Sequence, residues 1–238
     1  MAFMVWAQRT FAGTFKGGQI ALDGKTARRS SDKAFEQSAV HMVSALACDY
    51  GLMLAPLLQA EARGGGPAWS AENLQRLATR VQRGPIRIQA DEVTYPAHIV
   101  LRFQLEKQLL RGDLDVRDLR AAWNEGMQRL VGITPTNDAE GVLQDIHWYE
   151  GHFGYFPTYT LGALAAAQIF EAAISAPRIA SALEEANFLP LRDWLHTHIH
   201  QHASLIDGPT LIERATGRPL HADAFQRHLR RRYLSYEG

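Results

Sequence analysis

Two stretches of the chain concentrate residue types that do chemistry. In "HTHIHQH", His196, His198, His200 and His202 occupy every second position. On a helix this makes two i,i+4 pairs, His196 with His200 and His198 with His202, the spacing that brings two imidazoles to one metal ion. Neither pair has the glutamate of a hydrolytic HExxH helix, and His198 and His202 share a face with Leu191 and Leu195, so packing is the simpler account. The second stretch, "GVLQDIHWYEGHFGYFPTYTLG" (Gly141 to Gly162), holds two histidines, a tryptophan, three tyrosines and two phenylalanines around glycine-marked turns. Within it Gln144, Asp145 and His147 place an amide, a carboxylate and an imidazole within four residues before Trp148. The residues alone leave two readings open: an aromatic core corner, or a wall of rigid rings whose polar groups converge on a bound molecule.

The composition bounds the class of protein. A chain of 238 residues, 46% hydrophobic and 21% charged, is long enough to bury a core. Lys+Arg and Asp+Glu balance at 25 each, so no surplus of positive charge points to nucleic acid or an anionic membrane. Cys48 is the only cysteine, which excludes an internal disulfide and a thiolate metal cluster and fits a reducing cytoplasm. The start, "MAFMVWAQRTFAG", has neither a basic leader nor an apolar run long enough to span a membrane.

The elements that must position these residues read as helices. The periodicity is helical from about residue 40 onward and almost nothing alternates as a strand does, so the predicted class is all-α. Leu119, Trp123, Met127 and Leu130 form one face after a capping Asp115, and Gly132 closes that segment. Phe225, Leu229, Tyr233 and Tyr236 repeat the pattern near the end. Ser70 caps a stripe of Leu74, Leu77 and Val81, and Ile99, Phe103 and Leu110 mark another helix. "LGALAAAQIFEAA", Leu161 to Ala173, is apolar nearly all round and is expected at the centre of a bundle. Residues 1–33 are glycine-, lysine- and serine-rich without a sustained period and read as a loop or disordered leader, before a helical domain over 34–238.

Several segments, in order, resemble the thermostable, or Taq-type, zinc metallocarboxypeptidases. They are "IRIQAD" (Ile86 to Asp91), "DEVTYPAHIVLR" (Asp91 to Arg102), "GVLQDIHW" (Gly141 to Trp148), "GYFPTYTLG" (Gly154 to Gly162) and "LIERATGRPL" (Leu211 to Leu220). The resemblance covers roughly residue 70 to the end. It implies a mostly helical fold with a deep cleft, one catalytic metal ion, usually zinc, and substrates trimmed from the free carboxyl end. Such hydrolysis needs a metal to polarise the scissile carbonyl and activate water, a carboxylate base, and a cation that reads the terminal carboxylate.

The family draws its metal ligands from an HExxH helix and a later "HESQ"-type segment. No HExxH occurs in this sequence. The counterpart of the second segment is "FEQSAVHMV", Phe35 to Val43, in one of two registers. One puts Glu36 at the ligand glutamate and Phe35 at its histidine; the other puts Gln37 there. Neither restores a metal site. The family's cofactor is therefore zinc or another divalent metal, with none expected on this chain.

The roles that the resemblance carries over are those of the substrate wall. Arg87 binds the peptide's terminal carboxylate through its guanidinium fork, the alternative being a structural ion pair with Asp91 or a neighbour. His147 donates to the scissile carbonyl oxygen, and Tyr155 and Tyr159 line the same cleft. Gln144 and Asp145, with Trp148, hold that wall in shape. The expectation is a multi-helix bundle forming one side of a peptide-binding cleft. It would be the C-terminal portion of a metallocarboxypeptidase, inactive alone and lacking the HExxH half. The partners expected are peptide C-termini and either a second copy in a homodimer or a complementing N-terminal half. The alternatives are a non-catalytic peptide-binding or dimerising pseudoenzyme, and a relic that does not fold alone.

Overall fold

A computed structural model describes residues 71–185 and 187–234. The expected leader over 1–33, the Phe35 to Val43 segment and the capping Ser70 lie outside the described residues. All regular structure among the described residues is helical: α1 (Ala71–Ala78), α2 (Tyr95–Arg111), α3 (Leu119–Leu130), α4 (Pro157–Ile174), α5 (Pro177–Glu184), α6 (Leu189–His198), α7 (Gly208–Thr216) and α8 (Asp223–Leu234). Short 3-10 turns cover Arg87–Gln89, Val116–Asp118 and His200–His202. Among the described residues no single helix is long and apolar enough to cross a membrane. The chain divides into two compact units, Met1–Thr79 with Ala173–Gln201 and Arg80–Ala172 with His202–Gly238.

The second unit is organised by α2 packed on α3. Pro96 starts α2 within its first turn, where a missing N–H is harmless, and Gly112 ends it at φ +76, a conformation that favours glycine. The Asp115 side chain accepts from Arg117 N at 3.0 Å and caps the turn leading into α3. Leu101 and Leu105 of α2 meet Trp123, Met127 and Val131 of the α3 segment in the core, with Leu119 and Leu130 packed at its edge. The stripe expected on α3 is therefore the one buried. Gly126 permits the close approach, because a Cβ there would lie 2.2 Å from Leu101 Cδ1.

The stripe expected on α2 is not the buried one. Ile99 is buried, but Phe103 is 41% exposed and Leu110 69%. The buried face carries His98, Leu101, Arg102, Leu105 and Glu106 instead. Three ionisable groups sit on it, and a search for apolar periodicity passes over them. The α1 stripe also differs: the helix ends at Ala78, before Val81, and Leu77 is 67% exposed. In α4, Leu161 is 48% exposed, and only Gln168, Phe170 and Ala173 are buried. Alanines make this helix apolar all round, and alanine favours helix whether or not it is buried.

The last helix is docked within the same unit. Phe225 is buried, and Glu92 lies 2.7 Å from His228 Nε2 and accepts from the Tyr233 hydroxyl at 3.2 Å. Tyr236 lies outside the described residues. The buried Gln168 amide holds the turn after α7: its Nε2 donates to Thr216 Oγ1 at 2.8 Å, and its Oε1 accepts from His221 N at 2.9 Å. In the first unit α5 and α6 pack on one another, with Ile179 and Leu183 buried.

Candidate functional site

The site lies in the second unit, where the segment before α2 meets the loop between α3 and α4. Gln144 joins the two. Its Oε1 accepts from Arg87 N at 2.8 Å, and its Nε2 donates to Pro85 O at 3.0 Å and Glu140 O at 2.8 Å. Asp91 fixes the other end of the Arg87 segment, accepting from Val93 N, Thr94 N and Gln82 N. Asp91 is thus a turn-forming acceptor and not the partner of Arg87.

That partner is Asp145, 58 residues away in sequence. Arg87 donates to Asp145 Oδ1 from Nε at 3.0 Å and from Nη2 at 2.6 Å, and its Nη1 donates to the Tyr95 hydroxyl at 2.8 Å. The other carboxylate oxygen is taken by Arg102, which donates from Nε to Oδ2 at 2.7 Å. Its Nη2 also lies 2.6 Å from Oδ2 as an ion-pair contact, out of line for a second hydrogen bond. Arg102 Nη1 donates to His98 O at 2.9 Å. One aspartate between two guanidinium groups leaves a surplus of one positive charge.

Aromatic rings enclose these charges. Phe156 is buried, with Arg87 Cζ 5.6 Å and Arg102 Cζ 5.4 Å from its centroid. Arg87 Cζ also lies 5.0 Å from the Tyr159 ring, and Arg102 Cζ 4.6 Å from Trp123, distances at which a cation is drawn to the π-face. His147 packs 4.5 Å from Phe156, and its Nε2 shares a 3.0 Å hydrogen bond with the Tyr159 hydroxyl. Tyr155 stands at the edge, 48% exposed, its ring 5.5 Å from those of His147 and Tyr159. Trp148 points the other way. Its Nε1 donates at 2.7 Å to Glu106, a buried carboxylate one turn beyond Arg102, which also accepts from Gly154 N at 3.2 Å.

The protonation states follow from burial and these neighbours. Burial favours the neutral form of Asp145, but the charges and hydrogen bonds of Arg102 and Arg87 outweigh it and hold its pKa below the usual carboxylate range. Burial works against the Arg87 charge, yet the Asp145 hydrogen bond and charge leave its pKa raised. Arg102 is pulled down by burial to about 10 and stays protonated near neutrality. His147 is lowered, mainly by burial and partly by Arg87, against the pull of Asp145, so its imidazole is neutral there. His98 is driven down to about 4 by burial and by Arg102 and Arg87. Its two ring nitrogens have no hydrogen-bond partner; the Gly84 backbone is close enough to favour the proton slightly but not at bonding geometry.

The structure therefore brings together Arg87, Gln144, Asp145, His147, Tyr155 and Tyr159. It adds Tyr95, His98, Arg102 and Glu106, which the sequence did not single out, and Phe156, which the core-corner reading of the loop includes. Tyr95, His98 and Arg102 lie inside the quoted "DEVTYPAHIVLR" segment, which was the one signal available for them. The histidine row forms no continuous helical face, because α6 ends at His198 and His200–His202 is a 3-10 turn. His198 is accounted for locally: its Nδ1 is 2.9 Å from Trp194 O and its ring stacks 4.3 Å from the Trp194 ring. Among the described residues no group of three or more His, Cys, Asp or Glu is placed to hold a metal ion.

Comparison with known proteins gives a consistent set of relatives. The model of a family described as carboxypeptidase Taq (M32) metallopeptidase matches residues 48–233. Carboxypeptidase 1 of Bacillus subtilis is 40% identical over 149 residues, 62% of this chain and 30% of that protein. Thermostable carboxypeptidase 1 of Pyrococcus furiosus is 41% identical over 150 residues, 63% of this chain and 30% of its own length. Among solved structures, Trypanosoma cruzi metallocarboxypeptidase 1 superimposes with a TM-score of 0.74 at 36% identity, over 80% of this chain and 40% of the other. A Pyrococcus furiosus carboxypeptidase does so with a TM-score of 0.71 at 34% identity, over 79% and 38%. The chain thus spans 30% of the length of those two curated relatives.

Proposed function

The chain belongs to the carboxypeptidase Taq (M32) metallopeptidase family, and we propose that it forms the wall of a carboxypeptidase site that binds the free carboxyl end of a peptide. The observation that carries this reading is the buried Arg87–Asp145–Arg102 set, whose surplus positive charge lies among aromatic rings. A desolvated positive charge attracts an anion far more strongly than an exposed one. Arg87 is the member to meet it, because Arg102 has no exposed side-chain surface, whereas Arg87 keeps a small exposure and an Nη1 edge paired with the Tyr95 hydroxyl and not with a carboxylate.

The hydrogen-bonded His147 and Tyr159 lie beside Arg87 and offer a donor to the oxygen of the last peptide bond. Tyr155, exposed at the edge, provides a face for the peptide chain. Gln144 and Asp145 set the position of Arg87.

A metallopeptidase also requires a metal, and the described residues do not fit one. With no HExxH in the sequence, hydrolysis needs ligands from outside these residues. No hydrolytic step is assigned to this chain, and its partners are peptide C-termini together with whatever segment or copy supplies the metal. A peptide-binding pseudoenzyme is the second reading, favoured by that missing donor set.

Calorimetric titration of the 238-residue protein with a short peptide and with its C-terminal amide tests the proposal. The free acid is expected to bind about tenfold tighter or better, as for a hydrogen bond to a charged group. Equal affinities would refute carboxylate recognition.

A further inference from the structure

We infer that Arg102, which has no access to a bound peptide, is the positioning residue that gives the Arg87 site its net charge and holds Asp145 to a single-oxygen pairing with Arg87. The inference rests on the reading of Arg87 as the carboxylate-binding residue. Its basis is how the carboxylate of Asp145 is divided. Oδ1 accepts its hydrogen bonds from Arg87, with His147 Nδ1 3.9 Å away, and Oδ2 accepts from Arg102. Arg102 has no exposed side-chain surface, its Nη1 is held by His98 O, and its guanidinium lies against the Trp123 and Phe156 rings. It therefore cannot reach substrate.

Two consequences follow from removing it. With Arg87 and Asp145 alone the charges cancel, and repulsion from Asp145 offsets much of the attraction of an incoming carboxylate to Arg87. With Arg102 present the three groups sum to one positive charge. The second consequence is geometric. A carboxylate free to rotate pairs side-on with a guanidinium through both oxygens. By holding Oδ2, Arg102 leaves Asp145 only Oδ1 for Arg87, so the pair is less completely matched than a two-oxygen fork. Glu106, the next charge on the same face of α2, does not alter this count at contact range, because its oxygens accept from Trp148 Nε1 and Gly154 N and from neither arginine.

The test compares the affinity of one short peptide and its C-terminal amide for four forms of the full chain, with thermal unfolding recorded for each. Wild type is expected to prefer the free acid by about tenfold or more. Arg102→Met, which removes the charge, is expected to lose most of that preference, to about threefold or less. Arg102→Met with Asp145→Asn restores one surplus positive charge on Arg87 and is expected to regain the preference. Arg102→Lys, which keeps the charge without the fork, is expected to fall between wild type and Arg102→Met. A residue needed only for folding would lower the melting temperature and weaken both peptides equally, leaving the ratio unchanged. Full preference in folded Arg102→Met overturns the inference. So does a folded double variant that stays as indifferent as Arg102→Met; should the double variant not fold, Arg102→Lys decides, and a ratio no better than Arg102→Met is the contrary result. Wild type without any preference would instead refute the Arg87 reading, and this inference with it.

Discussion

His98 makes acid sensitivity the sharpest stability prediction. Its side chain is fully buried, neither ring nitrogen has a partner, and burial with the Arg102 and Arg87 charges brings its pKa from an ordinary 6.5 to about 4. Between those two values the unfolded chain binds a proton that the folded chain does not. Stability therefore falls as pH falls from about 6.5, and this contribution stops changing below about 4. At ~1.4 kcal/mol per pH unit, the loss from this one group is about 2 kcal/mol by pH 5 and about 3 kcal/mol by pH 4. The perturbation is His98→Leu, a residue of similar volume that does not titrate. Urea unfolding at pH 7 should find the variant within about 1 kcal/mol of wild type, since no hydrogen bond is removed. At pH 5 the variant should be the more stable by about 2 kcal/mol relative to that reference. Carboxylates and the other histidines titrate alike in both proteins and cancel in the comparison. Identical losses between pH 7 and pH 5 would refute a neutral, buried His98.

Asp145→Ala leaves two buried guanidinium groups facing each other and is expected to destabilise by about 3 to 5 kcal/mol in urea unfolding, as when one partner of a buried ion pair is removed; a loss under about 1 kcal/mol would contradict the pairing. Gly126→Ala places a Cβ where Leu101 Cδ1 stands, 2.2 Å away, and is expected to lower stability by about 1 to 3 kcal/mol through overpacking; a variant as stable as wild type by thermal melting would show that α3 does not approach α2 so closely. The purified chain without a histidine tag is expected to hold substoichiometric zinc by elemental analysis and to release no C-terminal amino acid from peptides, and one equivalent of metal with chelator-sensitive release would overturn that expectation.

Helical class and the α3 face were legible because Leu119, Trp123, Met127 and Leu130 are apolar at helical spacing and pack as that pattern implies. The α2 face was not legible. His98, Arg102 and Glu106 are buried there by partners distant in the chain, Asp145 and Trp148, and nothing local in the sequence marks a charged residue as paired. The Gly141 to Gly162 loop stood out by its residue types and Arg87 through motif resemblance, neither by periodicity, and the division of Asp145 between two arginines was not legible. The histidine row reads more simply as packing than as a metal site. Alternate spacing produced two i,i+4 pairs only while one helix was assumed to run through it, and α6 stops at His198. Exposure in α4 was misread because alanine counts as apolar wherever it lies.

The central claim is that Arg87 reads a peptide's terminal carboxylate, and the most direct measurement is the affinity of wild type and Arg87→Ala for one peptide in its free-acid and amidated forms. Wild type is predicted to prefer the free acid by about tenfold to a hundredfold, the range of a hydrogen bond to a charged group. Arg87→Ala is predicted to bind both forms alike, because Asp145 then pairs with Arg102 alone and no surplus charge remains. An Arg87→Ala protein that is folded and keeps the wild-type preference in full would contradict the account.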